Sequence, residues 1–222
     1  MNERRHVFSF VDPNRRLPPS AVVLIVANFV PIYGVAYLGW EVFPVILLFW
    51  FENVVIGFYN ALKMAFASPG DIARWLGKLF MIPFFAVHYG LFCFVHGIFV
   101  VVLFGRGTVE SLDNPGVGMF VGALTAAGVT WAAAALFVSH GFSFAWNYVG
   151  KGEYRRAGLE ELMTQPYARV VVLHLVLLTS AFLVMTLGLP AIGLVLLVLL
   201  KIGVDLNAHL KERARFTDKK EE

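Results

Sequence analysis

The chain has 222 residues, of which 59% are hydrophobic and 15% charged, with a formal net charge of +3. A soluble domain carries about 25% charged residues, and six successive apolar runs here are each near the ~20 residues that a helix needs to cross a bilayer. The composition therefore excludes an ordinary soluble globular domain and predicts an all-α integral membrane bundle of six transmembrane helices. With a single cysteine, Cys93, the chain has neither an internal disulfide framework nor a cysteine-rich zinc site.

In chain order, a polar and Pro-containing cytoplasmic segment (1–19) leads into the membrane domain (20–211), and a charged tail (212–222) follows it. No cleavable signal is expected at the N-terminus. The spans are predicted at 20–38, 42–65, 78–104, 117–147, 168–187 and 190–211. Short turns are expected at Gly39–Glu41 and Gly188–Pro190, and a longer loop at Gly105–Gly116. The third and fourth runs exceed what a bilayer requires. Gly118, Gly122 and the alanines at 132–135 suit close backbone approach, which predicts a central fourth helix. The 151–166 loop is expected to hold a short surface helix with Leu159, Leu162 and Met163 toward lipid.

Charge sets the expected orientation. Sixteen of the eighteen Lys and Arg fall in the N-terminal segment, the second-to-third and fourth-to-fifth connections and the C-terminal tail. Only Arg106 lies opposite, and Lys201 lies within a span. The positive-inside bias places both termini and both basic loops in the cytoplasm of a multi-pass protein, here expected in a bacterial inner membrane. The basic charge is thus a topology signal. Membrane lipids, with no nucleic acid, are the expected partners, and oligomeric state is left open.

Ionisable residues interrupt the apolar runs, and such groups face the bundle interior or a water-filled path. Counting ~1.5 Å per residue from each cytoplasmic boundary puts His88 roughly 15 Å deep, His140 roughly 12, His174 roughly 8, Asp205 roughly 9 and Glu52 roughly 18. The matched depths predict convergence of His88, His140, His174 and Asp205 on one metal ion, with zinc the leading choice. His209, at i+4 from Asp205, is a further candidate ligand. Glu52 is the candidate general base. Asn53 and Asn147 would orient substrate or a ligand, and Lys201 would tune Asp205. His96, eight residues from His88, is set nearer the outer surface.

The resulting expectation is a metal-dependent intramembrane hydrolase acting on a lipid or amide. Three alternatives remain open. One is a haem or quinone protein with His88 and His174 as axial ligands. Another is a proton-coupled transporter or channel using Glu52, His88, Asp205 and His209. The third is a structural membrane protein without catalysis.

The segments FWFENVVIGFYNALK (49–63), FFAVHYGLFCFVHGIF (84–99), LFVSHGFSFAWNYVGKGEY (136–154), PYARVVVLHLVLL (166–178) and KIGVDLNAHLKER (201–213) resemble a family of bacterial polytopic membrane proteins known only as a domain of unknown function. The resemblance implies that Glu52, Asn53, His88, His96, His140, Asn147, Arg169, His174, Lys201, Asp205 and His209 travel as a set, and it implies no activity. A looser chemical likeness is to intramembrane zinc hydrolases of the ceramidase and adiponectin-receptor type. The chain shares their ligand inventory but has six predicted spans instead of seven and lacks their paired H-x-x-x-H.

Overall fold

The structure is a computed structural model that describes residues 29–68, 72–105 and 116–167, with Val170, Val171, His174, Leu175, Thr179, Thr186, Val195, Val198, Leu199, Ile202 and Gly203. The described residues contain helices and no strand. Residues 29–37 form α1. It is followed by α2 (Val42–Phe66), α3 (Ile72–Phe104), α4 (Val117–Ala126), α5 (Thr130–Ser143) and the short α6 (Leu159–Thr164). A π-helical turn, Phe144–Gly150, continues α5, and a 3-10 turn covers Glu153–Arg155. From Val170 onward the described residues are helical, and the remainder of the last two predicted spans lies outside them.

Local chemistry sets these boundaries. Gly39, at φ +70°, turns the chain between α1 and α2, where Leu38 and Trp40 both donate to the Gly34 carbonyl. Pro44 falls in the first turn of α2, where its missing N–H costs nothing. The last carbonyls of α2 need donors, and Lys78 of α3 supplies them. Its buried ammonium bonds the Ala65 carbonyl at 2.9 Å and the Ala67 carbonyl as well, and lies 4.1 Å from the Trp75 ring centre.

α2 and α3 are both long and apolar enough to cross a membrane, α3 over Trp75–Phe104. α3 has 33 residues, about 50 Å at the helical rise, and presents Leu79, Phe80 and Val87 outward, each more than 70% exposed. An outward apolar face of this kind suits lipid. The expected single helix at 117–147 is instead two helices bent by 115°. A glycine-terminated cap breaks it: Val129 N–H reaches the Leu124 carbonyl, Gly128 N–H reaches that of Thr125, and Gly128 adopts φ +70°. That is the Schellman arrangement, and it stops a helix however apolar the run. Taken together, the bent pair is long and apolar enough to form a broken span or a re-entrant loop.

Among the described residues, α2 and not the fourth predicted span is the helix that the others pack around. It runs antiparallel to α3, with Trp50 beside Gly97 and Gly57 beside Tyr89. A Cβ at Gly97 would meet the Trp50 and Phe120 rings at 2.6 Å, so these glycines permit the approach. Among the described residues, a Cβ at Gly118 or Gly122 would meet no atom within 4 Å, and of Ala132–Ala135 only Ala133 is buried. One apolar cluster joins Phe43, Ile46, Leu47 and Trp50 to Val100, Val101, Met119, Phe120 and Val198. A second, toward the other end of α2, joins Met64, Phe85, Tyr89, Cys93 and Tyr148 to Leu159, Leu162 and Val170. The short helix expected at 151–166 is present as α6, but Leu159 and Leu162 pack into this second cluster and do not face lipid.

Candidate functional site

Along α3, Phe80, Phe84, His88, Phe92 and His96 recur at i, i+4 and so form one stripe. Their rings stack. Phe84 lies on His88 at 5.3 Å and 9°, and Phe92 lies on His96 at 5.8 Å and 17°. Tyr167 and His174 meet this stripe from the chain beyond α6. The Tyr167 hydroxyl is 2.7 Å from His88 Nδ1, and His174 Nδ1 is 2.8 Å from His96 Nε2. Tyr167 with His88 and His174 with His96 are matched in the same chain direction, seven residues against eight, so this segment runs parallel to α3.

The hydrogen-bond pattern assigns the protons of the upper rung. His96 Nδ1 faces the Phe92 carbonyl at 2.5 Å, and a carbonyl only accepts, so this nitrogen carries the hydrogen. In a neutral ring Nε2 is then an acceptor, and His174 Nδ1–H donates to it. This bond engages His174 through Nδ1 and leaves its Nε2 outside the pair. His96 is 2% exposed inside a candidate span. Two imidazoles joined directly in this way can share one added proton, whereas two added protons would place two cations side by side.

The two rungs are not one continuous wire. His88 and His96 lie about 12 Å apart along the helix. Between them the Phe92 ring meets His88 at 5.2 Å and 60°. At the lower rung the Tyr167 hydroxyl is the partner of His88 Nδ1.

Other expected site residues are placed elsewhere. His140 packs against α2, its ring 6.5 Å from that of Tyr59 and its Nδ1 bonded to the Leu136 carbonyl at 3.0 Å. Asn147 lies in the π-helical turn and donates to Ser143 Oγ at 3.3 Å. Asn53 donates from Nδ2 to the Phe49 carbonyl, its main-chain carbonyl accepts from the Tyr89 hydroxyl at 3.0 Å, and its buried Oδ1 has no hydrogen-bond partner among the described residues. Glu52, half-buried, precedes it on α2. Lys201, Asp205 and His209 lie outside the described residues.

The expected meeting of His88, His140 and His174 does not occur. Each imidazole has a different partner, and among the described residues no group of three or more His, Cys, Asp or Glu could hold a metal ion. The depth count failed at its reference point. It began the fifth span at 168, but the chain is already packed at Leu159, and Tyr167 is level with His88. His174 therefore meets His96, the histidine that sequence reasoning had set apart. The i, i+4 ring stripe of α3 was the available signal for the seam. Tyr167, Tyr89 and the capping role of Lys78 were missed.

A model of a family of unknown function (DUF6498) matches residues 11–222, which takes in both rungs of the seam and the C-terminal positions outside the described residues. No curated protein and no solved structure matches the chain.

Proposed function

We propose, for a chain that belongs to the family of unknown function DUF6498, an integral membrane protein that takes up and passes protons along the His88–Tyr167 and His96–His174 seam, as a proton-coupled transporter or channel. The observation that carries this reading is the 2.8 Å bond between His96 and His174, with His96 anchored on the Phe92 carbonyl inside a candidate span. Ionisable groups placed within a span are costly, and they are characteristic of proton and ion paths. The six-span arrangement with cytoplasmic termini completes the reading and rests on the distribution of Lys and Arg. In that orientation the His88 rung lies nearer the cytoplasm and the His96 rung nearer the opposite face. The zinc and haem expectations set His88 and His174 on one ion, and among the described residues these two have different partners.

Proteoliposomes containing the full chain and an entrapped pH-sensitive dye test the proposal under an imposed pH gradient and potential. The wild type should acidify the lumen several-fold faster than protein-free vesicles, and His96→Gln and His174→Gln should each return the rate to background. A wild-type rate equal to that of empty vesicles, or variants that retain the full rate, would defeat it.

A further inference from the structure

A cavity of about 280 Å³ opens beyond the last turn of α2, and its lining carries both signs of charge. Lys63 and Arg156 contribute cations, Glu153 and Glu161 contribute carboxylates, and Tyr148 and Gln165 add polar walls. The site is built by tertiary contacts. Tyr148, buried in the π-helical turn, donates to the Lys63 carbonyl at 2.8 Å, and the Lys63 ammonium lies 5.6 Å from the Tyr148 ring centre. Asn60 ties α2 to the Leu162 carbonyl at 2.5 Å, and Ser68 N–H bonds the Tyr154 carbonyl at 3.0 Å. Those bonds, with Leu159 and Leu162 in the core, hold α6 and the 3-10 turn over the cavity.

Position and charge together point to a ligand class. Lys63 is in the last turn of α2, and Tyr148 is near the end of the bent span, so the cavity lies where candidate spans end. Lipid headgroups occupy that level. The volume is near the lower limit of small-molecule pockets, about 300 Å³, which suits a headgroup and not a whole lipid. A simple anion would meet two carboxylates, and a simple cation would meet Lys63 and Arg156. A zwitterion matches both signs of the lining: phosphate bonds guanidinium and ammonium well, and a primary ammonium bonds carboxylates.

We propose that this cavity binds a phosphoethanolamine-type group, its phosphate on Lys63 and Arg156 and its ammonium toward Glu153 and Glu161, presented by a phospholipid of the adjoining leaflet. The proposal is independent of the histidine seam.

Native mass spectrometry of the full chain in neutral detergent tests it, with phosphatidylethanolamine, phosphatidylcholine and phosphatidylglycerol added in turn. The ethanolamine lipid should be retained about tenfold more strongly than either of the others. Choline lacks N–H donors, and the glycerol lipid lacks the cation. Arg156→Gln should weaken retention, and Glu153→Gln should erase the preference over phosphatidylglycerol. Both residues are exposed, so these variants probe binding even where Lys63→Gln fails to fold. Free phosphoethanolamine that binds the wild type but not Arg156→Gln, without lipid retention, would keep the zwitterion site and reassign its source. Equal retention of all three lipids, or a preference unaffected by either variant, would overturn the proposal.

Discussion

The Trp50 indole donates its N–H to the Cys93 carbonyl at 2.7 Å, and both residues are buried between α2 and α3. The bond sets the register that also places Gly97 against Trp50 and Gly57 against Tyr89. Trp50→Phe should keep most of the ring volume and lose the bond, at a cost of about 0.5–1.5 kcal/mol. Trp50→Ala should cost about 3–5 kcal/mol, because a cavity is added. Thermal unfolding in one detergent should show that order. Equal shifts in Tm for the two variants would contradict it.

Gly128 ends α4 with a positive φ and open space around it. A Cβ there meets no neighbour, so the penalty for Gly128→Ala is conformational alone, about 1–2 kcal/mol. Gly128→Asn should cost less, since asparagine tolerates the left-handed region. By contrast, Gly122→Ala, in open space within α4, should be neutral or stabilising by up to about 1 kcal/mol. If Gly128→Ala leaves Tm unchanged, the 115° bend is not held by this cap.

Phe92 separates the two rungs of the seam, with its ring against His88 on one side and His96 on the other. Removing the ring opens room for water between them. Phe92→Ala should therefore raise the proton flux of reconstituted vesicles several-fold above wild type. Phe92→Leu should leave the flux near wild type. A lowered rate in Phe92→Ala, with folding intact by Tm, would remove Phe92 as the barrier.

Tyr167 and His88 share the hydrogen bond of the lower rung, at 2.7 Å. Tyr167→Phe removes the hydroxyl and keeps the ring, and should cost about 0.5–1.5 kcal/mol. Thermal unfolding of both proteins in one detergent reads this as a lowered Tm. An unchanged Tm would mean that the bond adds nothing to stability.

Much of the α2–α3 pair was legible in the sequence. The run at 42–65 matched α2 to within a residue at its end, because an apolar segment bounded by a Gly turn and a basic last turn has few other solutions. α3 began earlier than expected, since Lys78, read as a boundary marker, is a buried cap for α2. The break at Gly128 was missed because one glycine in a small-residue run reads equally as close packing or as a cap. Only the hydrogen bonds of Leu124 and Thr125 distinguish the two.

The sequence identified His88, His140 and His174 as costly groups inside apolar runs, but not that His88 and His174 join the seam while His140 packs against Tyr59. Composition and periodicity alone determined the helical class, the long apolar helices and the list of polar residues that need partners, because each is a property of local chain chemistry. The pairing of His174 with His96 depends instead on where α6 docks. That docking follows from the burial of Leu159 and Leu162 between distant helices, and a shift of one turn slides every later side chain by about 5.4 Å. Such a register is fixed by packing between remote segments, so only the tertiary structure decided it.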